Sequence, residues 1–120
     1  MEIKVWHLST CSTCRRILQE AGLDETNADL INIKTTPLTE KELEDMKSFT
    51  GSYRDLINGR STQFRSMTKK AKDLTEDDAR ELLLQHYAFL KRPVIRIDGD
   101  YFVGNSKKNL QALYERLERG

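Results

Sequence analysis

The stretch Cys11-Ser12-Thr13-Cys14 constrains this chain more than any other. These are its only cysteines, two residues lie between them, and an apolar run from Ile3 to Leu8 comes just before. Such a pair at a strand–helix junction reads as a thioredoxin-like redox site. One thiolate attacks, and its neighbour must be close enough to resolve the mixed disulfide. A helix starting near Ser12 places Cys11 at its N-terminus, where unpaired N–H groups and the macrodipole carry partial positive charge. Arg15 and Arg16 are expected to add positive charge one turn on, and such settings pull a cysteine below its ordinary pKa of about 8.5.

Two other uses of the cysteines compete. A zinc half-site needs two more ligands, and only His7 and His86 remain, far apart and without ligand spacing. A structural disulfide closing so short a loop restricts the unfolded chain least. No metal is expected.

At 120 residues the chain has the length of one domain with a single core. Charged residues make up 32% and cancel to a net +1, so no global field points to nucleic acid or to an anionic membrane. Met1 to Leu8 lacks a signal peptide's apolar run and cleavage site, and no stretch approaches the ~20 apolar residues that span a bilayer. A dithiol without an export signal is expected in a reducing cytoplasm.

The order of elements follows from periodicity. Glu2 to Leu8 sets Ile3, Val5 and His7 against Lys4, Trp6 and Leu8, which suits a strand covered on both faces, with His7 in a packed role. Ser12 to Ala21 carries Ile17, Leu18 and Ala21 at helical spacing, and Gly22 stops the helix. Ala28 to Ile33 reads as a second, parallel strand. Thr39 to Glu42 is a capping box, followed by Leu43, Met46 and Phe49 on one helix face up to Gly51. Short helical pieces around Tyr53–Ile57 and Phe64–Met67 precede a helix capped at Thr75 that bears Ala79, Leu82, Leu83 and Tyr87. Residues from about 36 to 90 thus form a helical insertion within one domain covering residues 1–120. The sheet resumes at Pro93 to Ile97, turns at Asp98-Gly99 and returns antiparallel through Tyr101 to Val103. Asn105 or Ser106 caps a last helix with the stripe Leu110, Leu113, Tyr114 and Leu117.

Two further stretches bear on the chemistry. Arg92-Pro93 opens the third strand, where a cis proline can present backbone beside the reactive sulfur and a guanidinium can bind an oxyanion through forked hydrogen bonds. Asn58 to Arg65, with Gly59 and Arg60, concentrates donors near a helix start, where an anion can bind or where the arginines are simply surface residues.

Cys11-Ser12-Thr13-Cys14-Arg15, Gly59-Arg60-Ser61 with Phe64, and Lys91-Arg92-Pro93-Val94 fall in the order and spacing of the arsenate reductase family. The chain resembles that family, which includes the Spx-type redox regulators, from Ile3 to Leu117. The resemblance implies an α/β, thioredoxin-like fold with a four-stranded mixed sheet and a helical insertion. It implies Cys11 as nucleophile on arsenate or a disulfide, Cys14 as resolving thiol, and Arg92, with Arg60 and Arg15, as oxyanion ligands. Pro93 would be the cis proline at the site. No bound cofactor is implied; glutathione or glutaredoxin would supply electrons, and glutaredoxin or thioredoxin would be partners.

The chain also departs from the pattern. Glutathione-coupled arsenate reductases usually lack a cysteine at the position of Cys14 and surround the oxyanion with three arginines. Here the middle one falls near Asn58 or Arg60, and the third falls near Gly104, which has no side chain. Each lost charge-assisted hydrogen bond weakens arsenate binding by about 1.5–3 kcal/mol. The alternative is an Spx-like redox-switched regulator that binds RNA polymerase. The second cysteine favours that reading, while the end of the chain at Gly120, without the tail of those regulators, and the Ser52-Tyr53-Arg54 segment favour the enzyme.

Overall fold

The computed structural model describes residues 1–119; Gly120, the last residue of the expected domain, lies outside the described residues. Among the described residues the elements run β1 (Ile3–His7), α1 (Ser12–Ala21), β2 (Asp29–Asn32), α2 (Glu40–Thr50), α3 (Glu76–Gln85), β3 (Val94–Ile97), β4 (Asp100–Val103) and α4 (Lys107–Arg119). Short 3-10 turns fill the chain between α2 and β3. Two compact units result: Met1–Thr35 together with the described residues from Arg92 onward, and Thr36–Lys91.

The first unit holds a sheet of order β2-β1-β3-β4. β1 pairs parallel with β2 and antiparallel with β3, and β3 pairs antiparallel with β4. This is the expected α/β, thioredoxin-like arrangement with a mixed sheet. Ile3 and Val5 alternate onto one face of β1 and meet Ile95 and Ile97 of β3, Ile17 and Leu18 of α1, and Leu113 of α4 in one buried cluster. Leu110, Tyr114 and Leu117 pack against it, so the stripe on α4 is core. The last turn of α1 closes with Gly22 at φ 70, where Gly22 donates to Gln19 and Leu23 donates to Leu18. A left-handed residue is needed there, and glycine takes that conformation without a Cβ clash. The hairpin turns at Asp98, whose φ is 54. The Ser106 hydroxyl accepts from the amide of Asn109 at 3.2 Å and so caps α4.

The second unit is helical. Both capping boxes form: the Thr39 side chain takes the amide of Glu42 in α2, and Thr75 takes that of Asp78 in α3. The Glu76 carboxylate accepts from the amides of Tyr53 and Arg54, which begins the next short turn. Phe64 and Phe89 pack edge to face at 5.2 Å. An isolated bridge joins Ile57 to Leu90.

Two side chains depart from the expected faces. Phe49 is 51% exposed, whereas Leu43 and Met46 are buried. At about 100° per residue, six residues carry Phe49 some 120° away from Leu43. Tyr87 is not on α3, because His86 becomes extended and its Nδ1 accepts from the amide of Ala88 at 2.9 Å. Tyr87 opens a separate 3-10 turn.

Candidate active site

The site grows from the exit of β1. Its last turn closes where the Cys11 amide donates to the Leu8 carbonyl at 2.9 Å, and the Cys11 carbonyl then accepts from Arg15, starting α1. Cys11 is therefore the N-cap, with φ −88 and ψ 114 and no side-chain oxygen to satisfy the first-turn amides. The amide of Cys14 is directed at the Cys11 sulfur instead. On the neighbouring strand, the Asn32 side chain donates to Ser9 Oγ at 2.9 Å and ties down the loop that leads to Cys11.

The two thiols sit in opposite environments. Cys11 is half-buried and Cys14 is fully buried. Burial raises the Cys11 pKa, but hydrogen bonds from the Cys14 amide and thiol and from the Arg92 guanidinium, with that cation's charge, bring it below the ordinary thiol value. Burial pushes Cys14 up to about 11 despite a hydrogen bond from the Leu8 backbone and the charge of Arg92, while the charge of Cys11 adds to the rise. The site thus separates one sulfur that ionises readily from one that keeps its proton.

Arg92 reaches Cys11 from the start of β3. The Arg92–Pro93 peptide is cis, as expected from the sequence, and Pro93 is buried. The Pro93 carbonyl accepts from the Gly104 amide at 2.9 Å. Gly104 has φ 84, and its carbonyl accepts from the Asn109 side chain at 2.8 Å. The sequence did not reveal this support; it depends on β4 and the first turns of α4 meeting the proline loop, and a lone asparagine behind a helix start carries no such signal.

The remaining candidates divide. Arg15 and Arg16 are exposed on α1, and Arg92 is the arginine whose hydrogen bond and charge bear on Cys11. Arg60 lies in the second unit, exposed, in a turn where the Arg60 amide donates to Asn58 Oδ1, Ser61 donates to the Asn58 carbonyl, and Gln63 donates to Ser61 Oγ. Those amides are spent within the loop. His7 is half-buried, and burial holds its pKa below the usual imidazole value, in keeping with a packed role. Among the described residues no group of three or more His, Cys, Asp or Glu side chains is placed to hold a metal ion. No described helix is long and apolar enough to cross a membrane.

Comparison with known proteins adds the following. The model of the ArsC family matches residues 6–113. The chain is 27% identical over 108 residues to the global transcriptional regulator Spx of Streptococcus pyogenes, covering 89% of this chain and 81% of that protein. It is similar in structure to an arsenate reductase (ArsC) related protein from Brucella melitensis, with TM-score 0.69 and 24% identity over 93% of each chain. An ArsC family related protein from Bacteroides fragilis superposes with TM-score 0.73 at 20% identity, over 94% of this chain and 98% of that one. At those identities the two structures speak for the fold.

Proposed function

The chain belongs to the ArsC family, and from that premise we propose that it is a thiol-dependent oxidoreductase with Cys11 as nucleophile and Cys14 as resolving thiol. The observation that carries this reading is the opposite displacement of the two thiols, with Arg92 hydrogen-bonded to the one that ionises. Cys11 attacks as the thiolate. Once its sulfur is covalently bound it no longer carries the charge that raises Cys14, so the second thiol loses its proton more easily after the first has reacted. This order prevents both sulfurs from being consumed at random.

With arsenate, the Cys11 thiolate displaces hydroxide from arsenic. Cys14 then attacks the Cys11 sulfur, the S–As bonding pair stays on arsenic, and arsenite leaves with a Cys11–Cys14 disulfide behind. With a disulfide substrate, Cys11 breaks the S–S bond, one thiolate leaves, and attack by Cys14 on the mixed disulfide releases the other. Either way two electrons leave the dithiol, and glutathione or glutaredoxin restores it. Thioredoxin is the other candidate reductant. Arg92, assisted by Arg15, holds the oxyanion, and Pro93 shapes the loop beside the sulfur. A reducing cytoplasm is the compartment in which such a dithiol can cycle.

A second reading is favoured by the identity with the Spx regulator. Under it, the Cys11–Cys14 pair is a switch that changes affinity for RNA polymerase. Steady-state turnover with arsenate, glutathione and glutaredoxin, run beside a pull-down on RNA polymerase, separates the two. Turnover that Cys11→Ser abolishes supports the enzyme; redox-dependent capture of polymerase without turnover supports the regulator.

A further inference from the structure

Basic residues of the first unit gather at one end of its strands. β1 and β2 run parallel and β3 returns against them, so the ends of β1, β2 and β4 and the starts of β3, α1 and α4 share the edge that carries Cys11. The segments at that edge are 7–16, 32–35, 92–95 and 102–109. They contain Arg15, Arg16, Lys34, Arg92, Lys107 and Lys108 and no acidic residue, in a chain with 19 Asp and Glu among 120 residues. The opposite edge carries Glu2, Asp24, Glu25, Asp29, Asp98 and Asp100, of which Glu2 pairs with Arg96, and Asp98 and Asp100 with Arg116.

The basic side chains are available. Arg15, Arg16, Lys34, Lys107 and Lys108 are exposed, and none of them takes part in a salt bridge among the described residues. Lys107 and Lys108 open α4, where a cation opposes the helix macrodipole. α2 and α3 instead have acidic first turns. The placement at the start of α4 is therefore not explained by helix stability.

We propose that this edge is the docking face for a protein whose own reactive disulfide is set in an acidic surface. The proposal rests on the thiol reading of Cys11 and names the substrate class of that site. Lys34 follows β2 and Lys107 follows β4; with strand order β2-β1-β3-β4 and spacing of about 4.8 Å, the strand ends that lead to them stand about 14 Å apart. One small oxyanion cannot bridge that width, whereas a protein face can, with the half-exposed Cys11 between the two lysines. A polynucleotide offers no sulfur to the reactive centre. Phe102, the one Phe, Tyr or Trp of these segments, packs on the core rather than outward for base stacking. In the docked complex the Cys11 thiolate attacks one partner sulfur and the other leaves as thiolate. Cys14 gives up its proton, attacks Cys11 and releases the second partner thiolate. The partner gains two electrons and this chain's dithiol becomes a disulfide.

The test measures second-order rate constants of the reduced full chain with three probes: a disulfide peptide flanked by glutamates, its lysine counterpart, and neutral 2-hydroxyethyl disulfide. The glutamate peptide is expected to react at least about tenfold faster than the lysine peptide at about 0.01 M salt. The gap should close at about 1 M, as the Debye length falls from about 30 Å to about 3 Å. The double variant Lys107→Glu, Lys108→Glu should lose most of that preference while its rate with 2-hydroxyethyl disulfide stays unchanged. Equal rates for the two peptides, a preference that survives high salt, or one that the double variant keeps overturns the docking face. Block of the glutamate peptide by single-stranded DNA reassigns the face to nucleic acid. Block by millimolar phosphate beyond the effect of matched chloride reassigns it to a small oxyanion, and either outcome overturns the proposal. Failure of Cys11 to react even with 2-hydroxyethyl disulfide overturns the thiol reading itself.

Discussion

The Arg92 guanidinium donates a hydrogen bond to the Cys11 sulfur, bringing the start of β3 to the exit of β1. The contact places a fixed cation on the thiol that serves as N-cap of α1. A charge held by the sheet does not depend on the rotamers of an exposed helix side chain.

The first prediction concerns reactivity against pH. Because the Cys11 pKa lies below the ordinary thiol value and that of Cys14 is about 11, alkylation near neutral pH should label Cys11 first. Arg92→Ala removes the cation and a hydrogen-bond donor, so the Cys11 pKa rises and its labelling rate at pH 6.5 falls several-fold. Mass mapping after timed iodoacetamide treatment checks both. Early labelling of Cys14 would contradict the assignment.

Arg92→Lys separates charge from geometry. A lysine keeps the positive charge but loses the planar fork that matches an oxyanion. Arsenate turnover should fall by roughly tenfold or more, as expected for a lost charge-assisted bond of about 1.5–3 kcal/mol. The Cys11–Cys14 disulfide should still form. Full arsenate turnover in this variant removes Arg92 from oxyanion binding.

Asp98 makes stability depend on pH at the edge far from the thiols. A hydrogen bond from the Glu2 amide, and then the Arg116 guanidinium, hold its carboxyl below the usual range. A depressed folded-state pKa contributes stability above the unfolded value of about 3.9 and loses it as pH falls through the folded value. Asp98→Asn, which tolerates the left-handed φ of 54, should be less stable than wild type at pH 7, with the two converging towards pH 2. Urea melts across that range measure it.

Leu113 tests the core under the site. It is fully buried among Ile17, Val5 and Ile95, so Leu113→Ala should cost about 2–5 kcal/mol in chemical unfolding. The pH dependence of Cys11 alkylation should persist wherever the variant stays folded, because Leu113 takes no part in the hydrogen bonds at the sulfur.

Much of this could be read from local pattern. The alternation in β1, the stop at Gly22, the two capping boxes and the Asp98-Gly99 turn depend on neighbours a few residues away, and they appear where the pattern placed them. What local pattern misassigned was side-chain direction. Phe49 and Tyr87 fitted an apolar helix stripe, but one faces solvent and the other follows a helix that ends at Gln85. The chain of hydrogen bonds from Asn109 through Gly104 to Pro93 arises only once β4 lies beside β3. Net charge of +1 likewise conceals the basic edge, because the sheet sorts the charges after the chain folds.

The most direct measurement of the central claim is a single turnover of the reduced chain with 2-hydroxyethyl disulfide, followed by released thiol and intact mass. Wild type should release both mercaptoethanol halves and end as the Cys11–Cys14 disulfide. Cys14→Ser should release one half and hold the other on Cys11, and Cys11→Ser should release neither. Turnover retained by Cys11→Ser, or both halves released by Cys14→Ser without added thiol, would contradict the division of roles between the two cysteines.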